Sequence, residues 1–129
     1  MSDRRTYVST VHHVAFRVDD MDAALEFYMG VLGCKMLPRP EGLPGARGAW
    51  LQCGATQVHL TEMPIDETTG RPPTRIVPTT THVAFHIDDL DAAEASFRER
   101  GFVYLRGQFG VEQIFVQDPS GNLIELTPY

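Results

Sequence analysis

Strict alternation of apolar and polar positions appears twice in the chain, 69 residues apart. In HVAFRV (13–18) Val14, Phe16 and Val18 share one parity, and His13, Ala15 and Arg17 share the other. In HVAFHI (82–87) Val83, Phe85 and Ile87 alternate with His82, Ala84 and His86. Period two predicts a strand with one apolar face and one open, polar face. The spacing then changes to helical. Met21, Ala24, Leu25, Tyr28 and Leu32 recur at three- and four-residue intervals, as do Leu90, Ala93, Phe97 and Arg100. Asp19–Asp20 and Asp88–Asp89 supply N-caps and negative charge at the helix start. Gly33 and Gly101 end the two helices as C′ glycines. Gly33 lies 20 residues after His13 and Gly101 lies 19 after His82, which predicts a one-residue deletion in the second helical region.

Short strand candidates follow each helix: CKMLP, ARGAWLQCG and TQVHLTE, then FVYLRG, VEQIFVQD and NLIELTP. DPSGN (118–122) is strong turn chemistry before the last run. Each half therefore reads as β-α-β-β-β. The first half carries a Pro/Gly-rich excursion, PRPEGLPGARG, between its second and third strands. The whole is one domain over 1–129, with module one at about 6–62, a linker at 63–80 and module two at about 80–129. The fold class is α+β, with curved mixed sheets. Between the copies HVAFRVDDMDAA and HVAFHIDDLDAA, nine of twelve positions match, as expected of a duplicated module.

With 129 residues the chain can build one compact core. Its net charge of −6, with no Lys/Arg stripe, argues against nucleic acid and anionic membranes as partners. No apolar run approaches the ~20 residues of a membrane span, and MSDRRTYVST does not read as a secretory signal. A cytoplasmic location is expected. Cys34 and Cys53 are the only cysteines, in no metal-type spacing, and are expected as two reduced thiols.

The repeat brings four side chains into correspondence. It aligns His13 with His82, and QVHLT (57–61) with LIELT (123–127), so that His59 matches Glu125. By alternation all four lie on the strand face away from the helices. Three imidazoles and a carboxylate suit one divalent transition metal ion: Zn, Ni, Fe, Mn or Co. Arg17 and His86, four residues beyond each first-strand histidine, are candidates to bind substrate. Trp50, Phe109 and Phe115 could form an aromatic wall, although core packing is the commoner role of strand aromatics. His12, of opposite parity to His13, is expected to be a neighbouring surface or packing residue. Glu62 has the wrong parity to join His59.

The stretches HHVAFRVDDMDAALEFYMGVLG (12–33), QVHLTE (57–62), THVAFHIDDLDAA (81–93) and QIFVQDPSGNLIEL (113–126) resemble the vicinal oxygen chelate superfamily. That group includes glyoxalase I, methylmalonyl-CoA epimerase, fosfomycin-resistance thiol transferases, extradiol dioxygenases and bleomycin-resistance proteins. The resemblance implies paired βαβββ modules forming a half-open barrel around a metal. It places ligands at His13, His82 and Glu125, with a fourth at His59, where glyoxalases usually have a carboxylate. It implies a glyoxalase-like lyase or isomerase in which a small substrate chelates the metal through adjacent oxygens. Glu125 would be both ligand and general base. Homodimers are common among such proteins. Extradiol cleavage is the less favoured alternative, because Phe115 stands where those enzymes have a tyrosine and no histidine lies upstream. A drug- or metabolite-binding resistance protein is a further alternative. Binders of that kind generally lack the metal residues that this chain keeps.

Overall fold

The structure is a computed structural model and describes residues 4–43, 47–66 and 68–129. Residues 44–46 of the expected excursion and position 67 of the linker lie outside it. Each half is a four-stranded sheet with one helix. The first sheet comprises β1 (His13–Val18), β2 (Lys35–Leu37), β3 (Gly48–Cys53) and β4 (Thr56–Glu62), in the order β1-β4-β3-β2. The second comprises β5 (His82–His86), β6 (Tyr104–Arg106), β7 (Ile114–Gln117) and β8 (Leu123–Thr127), in the order β5-β8-β7-β6. Both sheets are mixed. β1 runs parallel to β4 and β5 parallel to β8, and the other pairings are antiparallel. The sheets do not close into a barrel, which agrees with the expected half-open form.

Helix α1 (Met21–Leu25) is capped by the Asp20 carboxylate, and α2 (Leu90–Glu99) by that of Asp89. Glu62 also serves α1. It accepts from Met21 N at 2.7 Å, on the helix side of its strand, as its parity requires. The apolar parity of every strand faces the helices. Val18, Leu51, Val58 and Leu60 join Leu90, Phe97, Ile114, Val116, Ile124 and Leu126 in one core that spans both modules. Each such side chain, fully buried, stabilises the fold by about 1.5–3 kcal/mol.

The one-residue mismatch between the halves is located in the first helix. There α1 runs on into a π-wound segment, Glu26–Val31. Tyr28 and Phe97 are repeat equivalents, 15 residues after His13 and His82. The closing bond runs from Cys34 N to Tyr28 O in the first helix, and from Phe102 N to Phe97 O in the second. The first therefore encloses one more residue. Gly33 and Gly101 adopt φ of +78° and +75° at the two ends, a conformation that only glycine takes without strain.

The modules are clasped through the DPSGN turn. Tyr28 donates to Asp118 Oδ2 at 2.7 Å, Ser120 donates to Asp19 Oδ1 at 2.7 Å, and Asn122 Nδ2 donates to the Arg17 carbonyl at 2.9 Å. Asp118 is buried, and desolvation raises its pKa despite the donors around it, from Tyr28, Asn122 and Ser120. Burial also pushes the Tyr28 hydroxyl well above its usual range, and the neighbouring Asp118 adds to this.

The two cysteines are joined in a disulfide, Cys34–Cys53, which corrects the expectation of free thiols. The pairing Lys35↔Gln52 continues by one residue at each strand end, so β2 and β3 bring the two cysteines face to face. That register is a tertiary fact which the sequence spacing does not reveal.

Candidate metal centre

The expected ligands fall in repeat-equivalent places. Ala15 pairs with His59 across β1 and β4, and Ala84 pairs with Glu125 across β5 and β8. This sets His13 beside His59 on one open face and His82 beside Glu125 on the other. The His13 and His59 rings stack at 3.9 Å between centroids, and His59 stacks at 4.4 Å on Trp50, its partner across β3 and β4. Three upright rings thus stand side by side on neighbouring strands. His59 Nε2 lies 2.9 Å from Gln57 Oε1. Desolvation, and then the nearby His13 and His12, lower the His59 pKa.

On the second sheet His82 Nδ1 lies 2.7 Å from the Thr80 carbonyl, and Nε2 lies 3.2 Å from Glu125 Oε1. A carbonyl only accepts, so Nδ1 carries the proton. In the neutral ring, Nε2 is then a lone pair facing a carboxylate oxygen. Two acceptors at that distance call for a proton or a metal cation between them. The donor set, imidazole nitrogens with one carboxylate, also fits a divalent transition metal. The residues present therefore fit the group.

The four do not converge within one chain. Among the described residues no group of three or more His, Cys, Asp or Glu side chains could hold a metal ion. One chain carries two separate pairs, His13–His59 and His82–Glu125.

The substrate-binding candidates separate similarly. Arg17 Nη2 donates to the Gly70 carbonyl at 3.0 Å, while its Nη1 is buried without a hydrogen-bond partner. His86 is exposed, with Nδ1 3.8 Å from Asp88. Trp50 is half-buried in the ring row. Phe115 is only 2% exposed. It forms a small second core with Ile76 of the linker and with Leu123, and its ring meets His82 edge-on at 5.4 Å. Phe115 thus takes the core role and backs His82, outside any open aromatic wall. Phe109, by contrast, is 73% exposed at a turn, with φ of +58°.

The linker contacts Thr80–His82 and Ile76–Phe115 escaped sequence reasoning because residues 63–80 have no period from which to read a direction. The glycine and proline content that flagged a linker is silent on what it covers.

Residues 10–126 match the family described as the Glyoxalase/Bleomycin resistance protein/Dioxygenase superfamily. The chain belongs to this superfamily. Glyoxalase-superfamily relatives cover both enzymes and binders. Glyoxylase I 4 of Arabidopsis thaliana is 31% identical, over 93% of this chain and 71% of its own length. Metallothiol transferase FosB of Staphylococcus epidermidis is 27% identical, over 92% of this chain and 81% of its own. The crystal structure of TnmS3, an antibiotic binding protein from a Streptomyces species, is 26% identical with a TM-score of 0.67, covering 95% of this chain and 98% of the other. Among the described residues no helix is long and apolar enough to cross a membrane.

Proposed function

We propose that the protein is a metal-dependent enzyme of the glyoxalase-like lyase or isomerase type, acting on a small substrate with adjacent oxygens. The observation that carries this reading is His82 Nε2 facing Glu125 Oε1 at 3.2 Å, with Nδ1 engaged by the Thr80 carbonyl. One divalent ion would be held by His82 and Glu125 of one chain and His13 of a partner chain, with His59 as the possible fourth donor. A homodimer would then contain two complete sites. The separation of the two pairs supports the dimer.

The ion, when bound, supplies Lewis acidity toward the substrate oxygens as negative charge develops on them. The remaining roles belong to side chains. Glu125 is the candidate base, its carboxylate taking a proton from substrate carbon. Arg17, on the face of β1 that carries His13, would hold an anionic group of the substrate through its guanidinium. His86, at the rim of β5, would orient or protonate substrate. Trp50 would present the apolar edge of the ring row. Phe115 acts behind His82, fixing its ring.

Elemental analysis of protein purified without chelators, combined with light scattering, tests the reading. One transition metal ion per chain and a dimer are expected. A monomer without stoichiometric metal would make a metal-free binding protein, like the antibiotic binder among its relatives, the better reading.

A further inference from the structure

The sequence suggested that His12 is a surface or packing residue directed away from His13. The structure turns its ring the other way. His12 Nδ1 lies 2.9 Å from His13 Nδ1, with the rings edge-on at 5.2 Å. β1 begins at His13, so His12 precedes the pleat and is free of its alternation. A contact between two imidazole nitrogens this close holds one proton. If it resides on His13, then His13 Nε2 is a lone pair and His12 carries its own proton on Nε2.

The second module shows the same device built differently. His82 is the repeat equivalent of His13, and its Nδ1 is tied to the Thr80 carbonyl. Both first-strand histidines are therefore engaged through Nδ1 by a residue just upstream. In one case the partner is backbone, in the other a side chain. Either partner leaves Nε2 as the outward nitrogen.

We infer that His12 is a positioning residue: its Nδ1 accepts the His13 Nδ1 proton and so keeps His13 in the tautomer whose Nε2 can take a metal. The inference rests on the proposed metal role of His13. Partners of this kind fix ring orientation and raise ligand basicity, and losing one typically weakens metal affinity by about 10–100-fold.

The test compares His12→Leu, which removes the acceptor, with His12→Asn, whose amide oxygen reaches the place of Nδ1. Long-range nitrogen–proton correlation spectra of the metal-free dimer should show His13 protonated on Nδ1 in the wild type and in His12→Asn. In His12→Leu it should shift toward Nε2. Calorimetric titration with Zn(II) should show affinity falling about 10–100-fold in His12→Leu and recovering in His12→Asn. His12 is exposed, so thermal midpoints should match throughout. An unchanged tautomer and Zn(II) affinity in His12→Leu would overturn the inference, as would a loss in His12→Asn equal to that in His12→Leu. His13→Ala is the control for the underlying reading. If it leaves Zn(II) affinity intact, the metal assignment itself fails, whatever the His12 variants do.

Discussion

Replacing Tyr28 by Phe should lower stability by an amount that depends on pH. The phenol is 0% exposed, and its hydroxyl donates to Asp118 Oδ2 at 2.7 Å. The ring is retained, so the core loses almost no apolar contact. What is lost is one hydrogen bond to a buried charged group, worth about 1.5–3 kcal/mol. Asp118 keeps three donors: Ser120 N at 2.9 Å, Asn122 N at 2.9 Å and Asn122 Nδ2 at 2.8 Å. A loss of about 2 kcal/mol is therefore expected, or a fall in melting temperature of about 6–10 °C for a chain of this size. The pH dependence follows from Asp118. Burial raises its folded pKa above the unfolded value. The native state then binds more protons across that interval, and this group's contribution to stability declines as pH rises through the folded pKa. Removing the Tyr28 donor raises that pKa further. The deficit of Tyr28→Phe should be largest at neutral pH and shrink on acidification below the folded pKa. Urea unfolding of both proteins at pH 7 and near pH 4, at one protein concentration and with chelator present, measures it. Equal deficits at the two pH values, or a deficit under about 0.5 kcal/mol at pH 7, would refute the reasoning, since the latter is the size of an ordinary surface change.

Other substitutions probe the rest of the molecule. Glu125→Ala should abolish stoichiometric metal binding, because it removes the anionic donor of the set, while His59→Ala should weaken binding and leave part of it; elemental analysis and calorimetry distinguish the two. Metal uptake should also fall on acidification, since imidazolium cannot ligate, as equilibrium dialysis across pH would record. Replacing both Cys34 and Cys53 by Ser should cost about 3 kcal/mol from the reopened loop, and free-thiol titration before and after reduction checks the pairing in the wild type. Arg17→Met should raise KM for anionic substrates by more than for neutral analogues, with little change in kcat.

Much of the fold was legible because the repeat states it twice. Alternation placed His13, His59, His82 and Glu125 on the open faces, and the Asp caps and terminal glycines bounded both helices. TQVHLTE became a strand at its expected limits. Three features were illegible for definite reasons. The cysteine pairing depends on the β2–β3 register, which the intervening excursion leaves unspecified. The burial of Phe115 depends on Ile76, a residue in a segment without period. His12 departs from its parity because it lies just outside the strand. In the candidate site, the donor types could be read from the sequence. That the two pairs do not converge within one chain could not, because alignment of a repeat relates equivalent positions without saying that they meet.

The π-wound turn bears on how a doubled gene can drift in length. An inserted residue in a loop shifts nothing that is packed, and one in a strand inverts every side chain beyond it. The first helix shows a third outcome. Its extra residue lies between Tyr28 and Gly33, downstream of the ring that reaches Asp118 and upstream of the glycine that leads into β2. Winding the segment more widely absorbs the surplus locally, so Tyr28 still supplies the carbonyl of the closing bond and Gly33 the positive-φ end, as Phe97 and Gly101 do in the other half. Such a helix works as an expansion joint, and the two halves can differ in residue count while keeping equivalent strand orders.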